Sequence, residues 1–287
     1  RETDLLRPEN TVEAIHAVCL SGGSAFGLEA ASGVARELEA RGIGLDVGPT
    51  RVPIVCSSCI FDLAFGSASV RPGVEEGIEA TRAALEADPS PLAEGTVGSG
   101  TGATVGKLNG AATLMKGGLG ARARAIGDLK IGAIAVVNAC GNVVDPATGA
   151  PIAGMRAAAD SLEIVDMEDA MLAAAEDLAM PLDRTNTTIS CIITNARLTK
   201  AQATKVAQMA ADAYAHTIRP THTTNDGDTI YVLPARSAIA PSRSTCSASP
   251  PPACSKRPSA PDVPPPTEFM GLPHTRICIT KLPSCIA

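Results

Sequence analysis

Apolar residues recur at helical spacing over residues 10–20 (NTVEAIHAVCL) and 24–41 (SAFGLEAASGVARELEAR), which predicts two helices with Asn10 and Ser24 as N-caps. Gly42 and Gly44 stop the second. A shorter helix is expected over 73–87, before the acidic, Pro-containing loop EADPSPLAEG. A Gly-rich tract, GTVGSGTGATVGKLNGAATLMKGGLGARARAI, then runs into a strand, and IGAIAVVNACGNVVD reads as an apolar strand followed by a turn. Helices are predicted over 166–180 and 199–216. Between them, DRTNTTISCIITNAR joins an Asn-Thr-Thr turn to a β-branched run in which Ile189, Ile192 and Ile193 suit a buried sheet. GDTIYVL supplies a last strand. Strands and helices interleave without a strict βαβ rhythm, which points to a layered α/β fold.

Composition narrows what such a fold does. The 287 residues allow one large domain or two small ones, and 45% hydrophobic with 19% charged residues suits a folded chain. A net charge of −6 argues against nucleic acid or an anionic membrane as partner, since both need a basic face. No apolar run approaches the roughly 20 residues that span a bilayer. The opening RETDLLRPEN is charged, unlike a signal peptide, so a cytoplasmic protein is expected. The chain starts at Arg1 with a helix-like segment within a dozen residues, and upstream sequence is expected to be missing. From residue 234 the character changes: SPPPACSKRPSAPDVPPP is dense in Pro, Ser and Ala, which favours extended or disordered chain over 234–287. The folded part is expected to end at about residue 233.

Several familiar chemistries fail on spacing. Of nine cysteines, only Cys56 and Cys59 in CSSC have a metal or redox spacing, and without a second pair or a nearby His the better reading is core packing. Cys19, Cys140 and Cys191 sit singly in apolar segments. In the Gly-rich tract Lys107 is followed by Leu108, which breaks the Walker A pattern, and Gly98, Gly100, Gly102 and Gly106 do not make a dinucleotide fingerprint. Those glycines serve close backbone approach or positive φ. No nucleophile elbow surrounds Ser21 or Ser24. His216 and His222 flank the RPT turn and read as ordinary surface or satisfied residues.

The Asn186-Thr187-Thr188 turn offers a different nucleophile. A threonine hydroxyl needs a base beside it, and its own α-amine serves once the residue becomes N-terminal. That amine has a reference pKa of about 7.7 to 8.0, so it accepts protons near neutral pH without further tuning. Cleavage of Asn186-Thr187 creates it, with Thr187 attacking the Asn186 carbonyl and water resolving the ester. The competing reading is a turn that simply starts a strand.

Seven segments in order carry a resemblance across the folded part: RETDLLRPEN, LSGGSAFGLEAASGV, VPIVCSSCIFDL, KGGLGARA, VVNACGNVVDPATG, NTTISCIITNARLTKAQATKVAQMA and HTTNDGDTIYVL. Together they resemble the DmpA family of self-processing N-terminal nucleophile aminopeptidases, also called the L-aminopeptidase/D-esterase or β-peptidyl aminopeptidase family. The resemblance implies an α/β/β/α sandwich shared with ornithine acetyltransferase, a homo-oligomer, and a cofactor-free hydrolase acting on small peptides, amides or esters. It also implies one catalytic domain over 1–233, split into parts 1–186 and 187–233 that stay associated.

Site residues follow from it position by position. Thr187 after Asn186 matches the nucleophile and cleavage site, and Asn138 matches an asparagine that helps hold the oxyanion. HTTNDGDT offers Thr224 and Asp226, with Thr223 the alternative hydroxyl; Asp226 would position the new amine or bind the substrate's amino terminus. A hairpin turn competes for this stretch. Gly22, Gly23 and Ser24 match a segment near the substrate cleft, against a reading as plain helix entry, and Lys116 reads as a solvated lysine. The chain departs from the pattern at both ends, lacking a strand or two before Arg1 and carrying the Pro-rich tail where closing helices and a strand are expected. Two alternatives therefore stay open: acyl transfer of the ornithine acetyltransferase kind, and an inactive remnant.

Overall fold

Fifteen strands and four α-helices follow in chain order in the computed structural model, which describes residues 1–86, 92–176, 186–234, 270–271 and 277–281. The strands are β1 (Ala17–Ser21), β2 (Leu45–Asp46), β3 (Arg51–Val52), β4 (Val55–Cys59), β5 (Thr104–Val105), β6 (Met115–Lys116), β7 (Gly118–Ile126) and β8 (Leu129–Asn138). After them come β9 (Asn142–Val144), β10 (Pro151–Ala153), β11 (Thr187–Thr194), β12 (Ile218–Arg219), β13 (Thr229–Pro234), β14 (Met270–Gly271) and β15 (Ile277–Lys281). The helices are α1 (Ala30–Ala40), α2 (Val74–Glu86), α3 (Met167–Glu176) and α4 (Lys200–Thr217).

Two four-stranded sheets organise these elements. One runs β14-β15-β1-β4, with β1 parallel to β4 and antiparallel to β15; the other runs β13-β11-β8-β7, with β11 parallel to β13 and antiparallel to β8. Alternation along the strands sends every second side chain to the space between the sheets. There Val18 and Leu20 of β1 meet Ile134 and Val136 of β8, Ile189, Cys191 and Ile193 of β11, and Tyr231 and Leu233 of β13. The other face of β1 presents Ala17 and Cys19, which with Val55 pack under Ala30, Ala31, Val34 and Leu38 of α1 and Ala80 and Ala84 of α2. On the far side Tyr214 of α4 packs with Val105, Ala139 and Ile218, against Val137 and Ile230. Helices therefore cover both outer faces, giving the α/β/β/α sandwich that the resemblance implies.

One predicted element is corrected. Residues 10–20 form no helix: the stretch ends in β1, buried at every position. A central strand covered on both faces needs apolar residues throughout, and such a run matches helical spacing by accident. Asn10 accordingly caps nothing, and its side-chain amide donates to the Asp4 carbonyl at 2.5 Å. Ser24 does not cap either; it stands at φ 54 in a 3-10 turn, Ser24–Glu29, and the α-helix begins only at Ala30. The later helices lie close to their expected places. α4 opens with a capping box, in which the Thr199 hydroxyl accepts from the Gln202 N–H while the Gln202 side chain accepts from the Thr199 N–H.

Most of the Pro-rich tail, residues 87–91 of the acidic loop and residues 177–180 of the helix expected over 166–180 lie outside the described residues. The tail's described pieces are β14 and β15, and β15 pairs antiparallel with β1 from Ala17↔Lys281 to Ser21↔Ile277. Among the described residues no helix is long and apolar enough to cross a membrane.

Two substitutions test the layer assignment. Ile134 is fully buried between the sheets, so Ile134→Ala is expected to lower unfolding free energy by about 3 kcal/mol. Thr199→Ala removes one side of the capping box and should cost about 1 kcal/mol. Urea unfolding followed by circular dichroism measures both; a smaller loss for Ile134 than for Thr199 contradicts the assignment.

Candidate active site

The inward faces of β8 and β11 run past the apolar core into polar side chains at one end of the sandwich. Alternation that turns Ile134 and Val136 inward on β8 carries on to Asn138, and on β11 Thr187 precedes the inward Ile189 and Cys191. Antiparallel register sets Thr187 directly opposite Asn138. Both are buried, at 8% and 0% exposure.

Around the Asn186-Thr187 peptide the geometry is specific. The Thr187 hydroxyl donates to the Asn186 carbonyl oxygen at 2.5 Å, and the Gly227 N–H donates to the same oxygen at 2.9 Å. Asn186 forms a parallel bridge with Asp226. Asp226 belongs to a closed turn: its Oδ2 accepts from the Thr223 N–H at 2.8 Å and the Thr223 hydroxyl at 2.7 Å, while its own N–H donates to the Thr223 carbonyl at 3.0 Å. Of the two candidate hydroxyls, Thr223 is the one that Asp226 holds, and Thr224 is exposed.

Asn138 is gripped from three sides. Its Oδ1 accepts from the Thr104 N–H at 3.0 Å and from Lys107 Nζ at 2.8 Å, and its Nδ2 donates to the Phe61 carbonyl at 2.9 Å. Lys107 also donates to the Asn138 carbonyl at 2.9 Å. Burial brings the Lys107 ammonium down to about 7, against the opposing pull of Cys140, Asp226 and Asp62. Such a group gives up or takes a proton near neutral pH. Gly117 lets the backbone beside Thr104 lie close against β8: a Cβ there would stand 2.1 Å from the Val137 carbonyl oxygen and 3.3 Å from the Thr104 nitrogen.

The Gly22–Ser24 turn is tied to the residues that follow β4. Gly23 donates to Asp62 Oδ1 at 2.6 Å and Ser24 donates to the Ile60 carbonyl at 2.9 Å, on either side of the Phe61 carbonyl that holds Asn138. Gly22 and Gly23 are buried, and the Gly23 amide is engaged by Asp62.

Sequence reasoning missed Lys107 and Asp228. In the sequence nothing sets Lys107 apart from Lys116, Arg122 and Arg124, the other cations of the Gly-rich tract. Asp228 Oδ1 accepts from the Thr188 N–H at 2.7 Å, and its Oδ2 pairs with His222 Nδ1 at 2.8 Å. It thus pins the residue after Thr187, and burial raises its pKa, partly offset by the Thr188 N–H. Lys116 is not a solvated lysine: its ammonium donates to the carbonyls of Thr101 at 2.9 Å and Ala103 at 2.7 Å and lies 4.4 Å over the Phe65 ring. CSSC is core material, with Cys56 buried between the sheets. Among the described residues no group of His, Cys, Asp and Glu could hold a metal.

Comparison with known proteins places the chain among relatives of known family. The model of "Peptidase family S58" matches residues 1–256. An uncharacterized aminopeptidase of Mycobacterium leprae (strain TN) is 42% identical over 238 residues, covering 81% of this chain and 63% of the relative. The 6-aminohexanoate-oligomer endohydrolase of Paenarthrobacter ureafaciens is 35% identical over 219 residues, covering 76% and 60%. The chain thus spans about three fifths of the length of these curated relatives. Among solved structures, the L-aminopeptidase D-Ala-esterase/amidase of Ochrobactrum anthropi aligns with a TM-score of 0.48 at 17% identity, over 77% of this chain and 60% of that one.

Burial at the site sets a pH signature for stability. The folded pKa of Lys107, about 7, lies below its reference value of 10.5. The unfolded chain therefore binds more protons between those values, and stability rises with pH there. Thiols act oppositely: burial pushes Cys56 and Cys59 from 9.0 to about 11 and Cys19 to about 12, so above about pH 9 the unfolded thiols ionise first and stability falls. Urea unfolding should show stability climbing from pH 7 to 9, by at most about 1.4 kcal/mol per pH unit, then declining. Lys107→Met is expected to flatten the climb and leave the decline; an unchanged climb contradicts the burial of this amine.

Proposed function

The chain belongs to peptidase family S58, and on that footing we propose that it is a self-processing N-terminal threonine hydrolase that releases amino-terminal residues from small peptides, amides or esters. The observation that carries the reading is the Asn186 carbonyl oxygen receiving both the Thr187 hydroxyl and the Gly227 N–H. A peptide bond so held beside a hydroxyl is arranged for transfer of its acyl group.

In self-processing the Thr187 hydroxyl swings from the carbonyl oxygen to the carbonyl carbon and adds to it. The bond between that carbon and the Thr187 nitrogen then breaks, and the hydroxyl proton ends on the freed nitrogen. Water adds to the ester, the Thr187 oxygen leaves with a proton, and Asn186 ends as a carboxylate. The new α-amine then becomes the general base of the mature enzyme. It takes the hydroxyl proton as Thr187 attacks a substrate carbonyl and returns it to the leaving amine. Asn138, opposite the nucleophile, and Lys107, bonded to its side-chain oxygen, are the groups that steady the substrate's oxyanion. Asp226 holds the amine of Thr187 or of the substrate.

Hydrolysis is what the relatives' names share, an uncharacterized aminopeptidase and a 6-aminohexanoate-oligomer endohydrolase. Free amino termini distinguish the first mode from internal cleavage. A homo-oligomer, carried by the resemblance, belongs to the same reading.

Intact mass spectrometry of the purified chain is expected to give two fragments parting between Asn186 and Thr187, while Thr187→Ala stays whole. Hydrolysis of aminoacyl amides should fall more than about a thousandfold in that variant. A parent that stays whole while folded defeats the proposal. Turnover only of an acetylated amino acid with glutamate as acceptor favours the transferase instead.

A further inference from the structure

We infer that the backbone N–H of Gly227 is the oxyanion donor of the self-cleavage step and that the Thr223–Asp226 turn aims it. The inference rests on the self-processing reading. During that step negative charge grows on the Asn186 carbonyl oxygen, and the Gly227 N–H already points at it from 2.9 Å. A donor that needs no reorganisation when charge develops is worth far more than one recruited from solvent.

The turn keeps that donor in place. Asp226 and Thr223 bond to each other in both directions, and the Asn225 N–H adds a bond to the Thr223 hydroxyl at 3.2 Å. Asp226 is bridged to Asn186 by its backbone, so the residue after it falls beside the scissile carbonyl. Before cleavage the Asp226 carboxylate is thus a positioning group, acting through the turn.

Glycine at this position meets two demands at once. A Cβ at Gly227 would stand 3.3 Å from the Thr187 hydroxyl oxygen, 3.7 Å from its methyl carbon and 3.8 Å from the Asn186 oxygen. A methyl there narrows the space in which the nucleophile swings from carbonyl oxygen to carbonyl carbon, and a larger side chain narrows it further. Glycine supplies the N–H and leaves the clearance.

The test follows cleavage of the full-length chain by intact mass, beside Thr187→Ala, with folding checked by circular dichroism and urea midpoint. Gly227→Pro deletes the N–H and should slow cleavage at least about a hundredfold. Added hydroxylamine, which captures an ester, should not rescue it, because the ester does not form. Gly227→Ala keeps the donor and should slow cleavage less than about tenfold. Thr223→Val, which loosens the turn, should slow it about tenfold. A folded Gly227→Pro that cleaves within tenfold of the parent, or that hydroxylamine rescues, overturns the inference. If Gly227→Pro does not fold, Thr223→Val and amide exchange of Gly227 in uncleaved Thr187→Ala decide. A Thr223→Val rate equal to the parent's, or an unprotected Gly227 amide, overturns it. A parent that never cleaves defeats self-processing itself, and a parent that cleaves alongside Gly227→Pro defeats this inference alone.

Discussion

Everything at the candidate site depends on the antiparallel register of β8 against β11, which sets Thr187 opposite Asn138. Side-chain period in a strand is two, so a slip of one residue would send Thr187 and the isoleucines behind it to the opposite face. The same register that packs Ile134, Val136, Ile189 and Cys191 between the sheets therefore places the hydroxyl and the amide at the end of that core. Core and chemistry share one set of strand pairings. A change that disturbs packing in the middle of β11 would reach the nucleophile through the ladder.

Charge is kept at this end by mutual support. Asn138 is fully buried, and its carbonyl and side-chain oxygens are taken up by Lys107 and Thr104. Burial makes the lysine a poor cation, yet the carboxylates of Asp226 and Asp62 lean the other way, and the balance lands near neutral pH. Perturbed groups of this kind gather where chemistry is done, although buried pairs held for structure perturb one another too. What favours chemistry here is the neighbouring carbonyl of Asn186, with its hydroxyl and N–H partners.

Legibility varied with the physics of each element. Amphipathic α2 and α4 have one face in solvent, so their apolar spacing reads out close to the observed bounds. β1 has neither face in solvent, and its unbroken apolar run carried no period to distinguish it from a helix. Thr187 and Asn138 came through resemblance of motifs, and the structure brings them together across one ladder. Lys107 was invisible for a different reason: it lies 31 residues from Asn138 in the chain, and nothing local to the Gly-rich tract marks it as a partner. Asp228 was hidden inside a stretch that reads equally well as a turn, although it holds the Thr188 N–H from 40 residues away.

By itself the sequence determined the family, the layered α/β class, most helices and the residue that opens β11, because these are written in local periodicity and in motifs that keep their order along the chain. Only the tertiary structure decided which groups face the Asn186 carbonyl. That carbonyl meets the Gly227 N–H because β11 and β13 run parallel side by side, so that the turn leading into β13 passes the start of β11. The donor is a backbone group, identical in every residue but proline, and no side chain announces it. Its role comes from where the chain is folded to put it.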